Sequence, residues 1–194
     1  MKTTKACSLA LTAVLWAGVS DADDPRSGSM LGNPCAGCHG TRGASAGHAM
    51  PVIGGLGKRY LVKTMTDFRD GTRPGTIMNR IARGYTDLEI QAMAAFFAGQ
   101  DWARADVRTD AGLARTGGRI HQEQCASCHG DEGRTNAQGT PRLAGQWPGY
   151  LEDVLGDLRD VDYPGPQPLE MRERVQALSD AEIRALSHYY ASRR

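Results

Sequence analysis

The sequence predicts an all-α protein made of two similar domains in tandem. The pattern Cys-x-x-Cys-His-Gly occurs twice, starting at Cys35 and again at Cys125, 90 residues later. Apolar residues recur at the three- and four-residue spacing of a helix face, and no stretch alternates apolar and polar residues as a strand does. A long internal repeat with helical periodicity indicates two copies of one small helical unit.

The repeat extends far beyond the cysteines and predicts where the domains lie. Three residues are inserted in the second copy after the match of 68–70 with 158–160. The matched positions that matter below are Pro51 with Pro141, Tyr60 with Tyr150, and Met78 with Met171. We therefore predict one domain at residues 23–105 and a second at residues 106–194.

Helices are predicted at corresponding places in the two copies. Residues 58–68 and 148–158 have helical apolar spacing, and residues 112–124 predict a helix that leads into the second cysteine pair. Thr86 and Ser179 are each followed three residues later by a glutamate, the capping-box pattern that begins a helix. We expect these two boxes to begin the last helix of each domain.

The first 22 residues have the pattern of a signal peptide. Lysines at positions 2 and 5 precede a short apolar run, and small residues allow cleavage after Ala22. The run is too short to span a bilayer comfortably, so we expect no retained membrane span. Cys7 should leave with this segment. The mature protein is thus expected in a bacterial periplasm.

Charge is divided between the two predicted domains but is nearly balanced overall. Residues 23–100 contain 9 Lys/Arg and 6 Asp/Glu, whereas residues 101–194 contain 12 and 15, giving +3 and −3. No basic stripe of the kind that binds nucleic acid is present. The difference could orient the protein on a charged partner, although two ordinary solvated surfaces explain it equally well.

The two Cys-x-x-Cys-His motifs predict two covalently attached c-type haems. Two cysteines three residues apart can each form a thioether with one vinyl group on a haem edge, and the next residue then lies under the iron. A thioredoxin-like pair would need a βαβ pattern, and a zinc site would need the cysteine pairs closer together than 86 residues. The predicted attachment residues are Cys35, Cys38, Cys125 and Cys128, with His39 and His129 as iron ligands.

Met78 and Met171 are the predicted sixth ligands of the two irons. Met171 is the only methionine after Cys125, and Met78 is its partner in the repeat. The other methionines between the motifs match a different residue in the second copy, which predicts packing roles for Met50, Met65 and Met93. His48, His121 and His188 have no repeat counterpart, so we interpret them as surface or satisfied structural histidines. Ligation by His and Met fills both axial positions and favours electron transfer over reaction at iron.

Each unit resembles a class I cytochrome c, because a proline follows the motif histidine by 12 residues and a late methionine precedes the last helix. The resemblance implies two tandem domains, each wrapped around one haem. It also implies that the carbonyls of Pro51 and Pro141 accept a hydrogen bond from the other nitrogen of each ligating histidine.

The two-domain arrangement resembles two diheme families. The segments 33–41 and 76–85 resemble the cytochrome subunit of flavocytochrome c sulfide dehydrogenase, which implies an FAD-containing flavoprotein partner as electron donor. Residues 143–146 and 171–179 suit the cytochrome c4 family, free carriers between a quinol-oxidising complex and a terminal oxidase. The matches in the first unit favour the sulfide dehydrogenase subunit, with a soluble cytochrome or an oxidase as acceptor. We expect no catalytic group in this chain, and the paired methionines argue against a peroxidase-like enzyme.

Overall fold

The computed structural model describes residues 27–137, 139–165 and 169–194. The predicted signal peptide lies outside these residues. Within them the regular structure is entirely helical, with no strand. None of the helices in this part of the chain combines the length and the apolar character that a membrane crossing requires.

Ten α-helices lie within the described residues, in two sets of five. The first set is α1 (Gly28–Gly32), α2 (Ala36–His39), α3 (Lys58–Arg69), α4 (Met78–Ala82) and α5 (Asp87–Ala98). The second set is α6 (Ala111–Ile120), α7 (Ala126–His129), α8 (Pro148–Arg159), α9 (Leu169–Gln176) and α10 (Asp180–Ser192). A π-helical turn, His121–Cys125, joins α6 to α7. The all-α prediction and the predicted long helices are confirmed.

Both predicted capping boxes are present and begin the last helix of each set. The Thr86 hydroxyl accepts from the Glu89 backbone N–H at 3.3 Å, and the Glu89 carboxylate accepts from the Thr86 N–H at 2.9 Å. Ser179 and Glu182 make the same two bonds at 3.3 and 2.8 Å. Each box satisfies N–H groups that a helix start otherwise leaves unpaired, which fixes where α5 and α10 begin.

The first and last helices of each set cross closely, because glycine occupies the crossing points. A Cβ atom on Gly117 of α6 would lie 2.1 Å from the carbonyl oxygen of Ala185 in α10. A Cβ atom on Gly28 of α1 would lie 2.3 Å from the carbonyl oxygen of Ala92 in α5. Any larger residue would push the helices apart, so these crossings determine how closely the cysteine motif approaches the last helix.

A buried side chain amide joins the two halves. Gln146 is 2% exposed; its Oε1 accepts from the Val52 N–H and its Nε2 donates to the Val52 carbonyl, both at 2.9 Å. Beside it the Trp147 indole N–H donates to the Ser45 carbonyl at 3.1 Å. The Asn136 side chain adds two exposed bonds, to the N–H of Gly57 and the carbonyl of Gly55, each at 2.7 Å.

The segment between α5 and α6 packs into the same interface. Ala105 donates its backbone N–H to the Gly145 carbonyl at 2.7 Å. Val52, Ala105 and Trp147 form one buried apolar cluster, with Trp102 against it. The predicted boundary between residues 105 and 106 falls in this segment. The two halves therefore hold one mutual arrangement through polar and apolar contacts together.

We predict that Gln146→Ala destabilises the protein more than Asn136→Ala. Both changes remove two bonds between the halves, but only the first leaves buried backbone groups of Val52 unpaired. The expected loss in unfolding free energy is about 2–4 kcal/mol for the buried site and about 1 kcal/mol or less for the exposed one. Denaturant unfolding of the two haem-loaded variants measures it. Equal losses would contradict the importance of burial at Gln146.

Candidate haem sites

The first cysteine of each pair caps the start of a four-residue helix, α2 or α7, and a different kind of helical turn precedes each. A three-residue turn, Asn33–Cys35, leads into α2, and the π-helical turn leads into α7. None of these four cysteines is joined to another in a disulfide; Cys35 and Cys125 are half-buried, whereas Cys38 and Cys128 are exposed. Residues three apart on a helical turn lie on one face, so each pair presents two thiols along one edge.

The His39 side chain makes the contact that the resemblance implies. Its Nδ1 lies 3.0 Å from the Pro51 carbonyl oxygen. Burial lowers the pKa of His39, and the Pro51 carbonyl opposes that shift. The ring is therefore neutral at pH 7, the form that binds a metal, and the carbonyl fixes its orientation through Nδ1 and leaves Nε2 for the metal.

His129 occupies the corresponding place in the second half, but its Nδ1 lacks the well-formed hydrogen bond that Nδ1 of His39 makes. It is 8% exposed, and burial lowers its pKa to about 4, against the Pro141 carbonyl, which raises the pKa. Nδ1 of His129 is buried and makes no hydrogen bond of ordinary geometry to the described residues. The Pro141 carbonyl thus raises the pKa of His129 without forming a hydrogen bond as well aligned as the one between His39 and Pro51.

A glycine and a return loop bring each proline segment to its histidine. Gly40 and Gly130 follow the two histidines with φ of 74° and 68°, a region that glycine enters without a side-chain clash. In each half the backbone then turns back. The Gly43 carbonyl accepts from the Ile53 N–H at 3.0 Å, and the Gly133 carbonyl accepts from the Leu143 N–H at 2.9 Å. The same fold of the loop in both halves explains the fixed distance from motif to proline.

Met78 and Met171 lie at the starts of corresponding helices. Met78 is the first residue of α4 and Met171 lies in the first turn of α9; both are half-buried. Met171 packs against the core cluster that Cys125 also contacts. Of the methionines assigned to packing, Met93 is buried and Met65 packs against the core, whereas Met50 is 41% exposed.

Side chain hydrogen bonds fix the two methionine-bearing helices. The Asn79 amide donates to the carbonyls of Phe68 and Arg73 at 2.7 and 2.8 Å, which ties α4 to the end of α3. Arg174 of α9 donates to the Gln124 carbonyl at 2.9 Å, next to the second cysteine pair. These bonds hold each methionine segment against its own half of the protein.

These donor sets fit c-type haem and do not fit zinc. The described residues contain no group of three or more His, Cys, Asp or Glu side chains that could hold a metal ion together. Each half instead offers two thiols on one turn and one neutral imidazole. The bond from Nδ1 of His39 to the Pro51 carbonyl leaves the opposite ring nitrogen, Nε2, as the donor to a metal, and His129 has Pro141 in the corresponding position.

Three histidines outside the motifs have structural surroundings. Asp110 donates its N–H to His188 Nδ1 at 3.0 Å, and the His48 carbonyl accepts from the Tyr150 N–H at 2.9 Å across the interface. His121 differs from the expectation of a surface or satisfied residue. It is 1% exposed, with Nδ1 3.0 Å from the Tyr190 hydroxyl oxygen, whereas Nε2 makes no hydrogen bond of ordinary geometry to the described residues, because α6 carries the ring into the core behind the second cysteine pair.

Sequence reasoning missed a polar group at the interface around Arg73. Its guanidinium interacts electrostatically with the phenols of Tyr60 in the first half and of Tyr150 and Tyr163 in the second. Burial lowers the pKa of Arg73, but these phenols outweigh it and the pKa is raised. Burial also disfavours the charged form of Tyr150, which raises the pKa of its phenol. The repeat pairs Tyr60 with Tyr150, and that pairing was the only signal available.

Comparisons with known proteins match both halves to one family. The family model for cytochrome c matches residues 28–100 and again residues 114–193. Cytochrome c4 from Pseudomonas aeruginosa is 32% identical over 191 residues, 94% of each chain. The crystal structure of reduced cytochrome c4 from Pseudomonas stutzeri superimposes with a TM-score of 0.72 at 28% identity, covering 86% of this chain and 97% of that one.

Two further relatives are named for roles in sulfur oxidation. A thiosulfate dehydrogenase electron acceptor from Stutzerimonas stutzeri is 32% identical over 168 residues, 81% of this chain and 78% of its own. The cytochrome subunit of sulfide dehydrogenase from Chlorobaculum tepidum is 43% identical over 70 residues, only 36% of this chain and 63% of its own. The family favoured from the sequence thus matches a short part, whereas cytochrome c4 matches nearly the whole chain.

Two covalent haem c groups follow from this family match together with the two Cys-x-x-Cys-His motifs. The two halves repeat the same turn, histidine, proline loop and methionine helix. The chain therefore belongs to the cytochrome c family, as a diheme electron-carrying cytochrome c.

Proposed function

We propose that the protein is an exported electron carrier of the cytochrome c4 kind. It takes electrons one at a time from a quinol-oxidising complex and delivers them to a soluble cytochrome or a terminal oxidase in the periplasm. The observation that carries this proposal is the match of cytochrome c4 to 94% of the chain, across both halves. The signal-like first 22 residues support export.

The chain's own residues supply attachment, orientation and shielding. When bound, each haem supplies a reversible one-electron couple. Cys35 and Cys38 hold the first group by two bonds, and the Pro51 carbonyl holds His39 in the orientation that ligation needs. Burial keeps the imidazole neutral, so it remains a ligand over the physiological pH range.

Met78 and Met171 complete the two iron sites in this proposal. They occupy equivalent places, each half-buried on a short helix that side chain bonds hold in place. A thioether sulfur in the sixth position raises the reduction potential relative to a second histidine and leaves no open position. The protein then transfers electrons without binding substrate at iron.

The interface keeps the two sites in a fixed relation. Gln146 and Trp147 of the second half bind backbone groups of Val52 and Ser45 in the first, in a region with little access to water. A fixed arrangement keeps the distance between two redox groups constant, whichever partner is docked. This supports transfer of electrons between the two halves within one molecule.

A second candidate is an electron acceptor for a sulfur-oxidising dehydrogenase. It is favoured by the short but closer match to the sulfide dehydrogenase subunit and by the thiosulfate dehydrogenase acceptor that matches most of the chain. In the sulfide version the donor would be an FAD-containing flavoprotein subunit. The chain's chemistry is the same in both candidates, and only the donor differs.

We predict that Met171→His lowers one of the two reduction potentials and leaves the other unchanged. Replacing the thioether by an imidazole favours the oxidised iron. Met78→His should lower the other potential in the same way. Optical redox titration of the haem-loaded variants measures both midpoints.

Met65→Leu is the matched control for these ligand variants. Met65 packs against the core, and its partner in the repeat is Leu155, so leucine suits the position. Both midpoints should stay at their wild-type values. A Met171→His protein with two unchanged midpoints would contradict the ligand assignment.

We predict that the native protein, purified from its source, elutes as a single haem-containing chain without flavin absorbance. It should be reduced by quinol-oxidising membranes and reoxidised by oxidase-containing membranes, but not reduced by sulfide. Size exclusion with haem staining and flavin absorbance measures this. Co-elution with a flavin-containing chain, together with reduction by sulfide, would support the second candidate instead.

A further inference from the structure

Met78 lies on a helix that is too short to hold itself in place. α4 has five residues, and helices of this length do not persist in isolation. Ile77 is at the N-cap position, where no side chain makes a capping hydrogen bond. Because Met78 is the first residue of α4, the contacts that fix this helix also fix the thioether.

The Asn79 amide makes such a contact for α4. Its Nδ2 donates to the Phe68 carbonyl at 2.7 Å and to the Arg73 carbonyl at 2.8 Å. Both partners are carbonyl oxygens, which only accept, so the orientation of the amide is determined and both of its N–H groups are used. The amide is half-buried, and a Cβ atom on Gly75 would lie 3.4 Å from its Oδ1.

The two carbonyls belong to a part of the chain that is itself firmly held. Phe68 lies in the last turn of α3, and Arg73 lies in the turn that follows, where its N–H donates to the Asp67 carbonyl at 3.0 Å. The Arg73 guanidinium lies over the Phe68 ring, 4.8 Å from the ring centroid. The buried Leu61 packs α3 against α5. Asn79 therefore joins the methionine helix to an element that the core holds.

The second half makes the same kind of connection with a different side chain. Arg172 follows Met171 as Asn79 follows Met78. The Arg172 guanidinium donates to the Val161 carbonyl, two residues beyond the end of α8, which corresponds to α3 in the repeat. An amide and a guanidinium differ in size and shape but both donate hydrogen bonds. The bond to the end of the long helix is thus what this position supplies in both halves.

We propose that Asn79 is a positioning residue that keeps the Met78 thioether on the first iron. The inference rests on the ligation by Met78 proposed above. An outside ligand binds a site that is only sometimes open with an affinity reduced by the open fraction. The two amide bonds form only while α4 stays against α3, so they lower that fraction. Asn79 thereby keeps the first haem closed to outside ligands and suited to electron transfer.

The test is a titration of the oxidised, haem-loaded protein with imidazole, a small ligand that competes for the sixth position. The parent protein for this titration carries Met171→His, so that only the first haem has a methionine ligand. Methionine-ligated ferric haem has a weak charge-transfer absorption band in the red. In this parent the band reports on Met78 alone, and its loss gives the imidazole midpoint.

Asn79→Asp is the informative variant, because a carboxylate has the shape of the amide but only accepts hydrogen bonds. At about pH 8, where aspartate is ionised, it cannot donate to the two carbonyls. The imidazole midpoint should fall about five- to fiftyfold below that of the parent, as expected for the loss of two hydrogen bonds. Asn79→Ala should shift it in the same direction. If Asn79 only filled space, Asn79→Asp would match the parent and Asn79→Ala alone would shift.

Thr72→Val is the matched control. The Thr72 hydroxyl donates to the Asp67 carbonyl at 3.3 Å in the same turn, and this bond does not involve α4. The control should keep the imidazole midpoint of the parent. A parent-like midpoint in Asn79→Asp, an equal shift in the control, or fewer than two haems per chain in both Asn79 variants would each overturn the proposal.

The wild-type spectrum separates failure of this inference from failure of the ligand assignment. Absence of the methionine band from the wild-type protein would overturn the ligation by Met78 and this inference with it. A band that is present, but whose imidazole midpoint is the same with Asn79 and with Asn79→Asp, would overturn the positioning role alone.

Discussion

The arrangement of the two halves relative to each other depends on the hydrogen bonds between the Gln146 side chain amide and the backbone N–H and carbonyl of Val52. This pairing is buried, spans 94 positions of sequence, and lies beside the indole of Trp147, which binds Ser45 in the same interface. A buried amide with both ends satisfied fixes distance and direction more strictly than apolar contact, because its partners must align. With the halves so fixed, each cysteine motif has one position relative to the other. A carrier that moves electrons between two sites needs this constancy.

Within each half, the close crossing of the first and last helices fixes the position of the cysteine motif. Gly28 and Gly117 permit the close crossings, and the cysteine turns that follow are brought against α5 and α10. The loops after the histidines then return the prolines, which orients the imidazoles. The two halves repeat this framework closely, but they differ in the side chains where the first and last helices cross. The tyrosines and histidine of the second half replace phenylalanines and a leucine in the first.

Much of this could be predicted from the sequence because it repeats. The spacing of the motifs, the prolines and the capping boxes indicated the two units and their long helices, and the structure confirms the all-α fold. The short helices α1, α4 and α9 were not predicted, since five to eight residues carry too little periodicity. The interface could not be predicted either. Gln146 and Asn136 find partners 94 and 79 residues away, with no counterpart in the repeat. The repeat shows that no histidine matches His121 in the first copy. Its burial could not be predicted, because it depends on the crossing of α6 and α10.

With His39, Met78, His129 and Met171 as ligands, both irons are closed sites that pass electrons without binding substrate. Addition of carbon monoxide to the fully reduced, undenatured protein tests this directly, because the gas binds ferrous haem only where the sixth position is open or labile. We expect an unchanged absorption spectrum at both haems. A carbon monoxide adduct at either haem would contradict it and would indicate a site that reacts at iron.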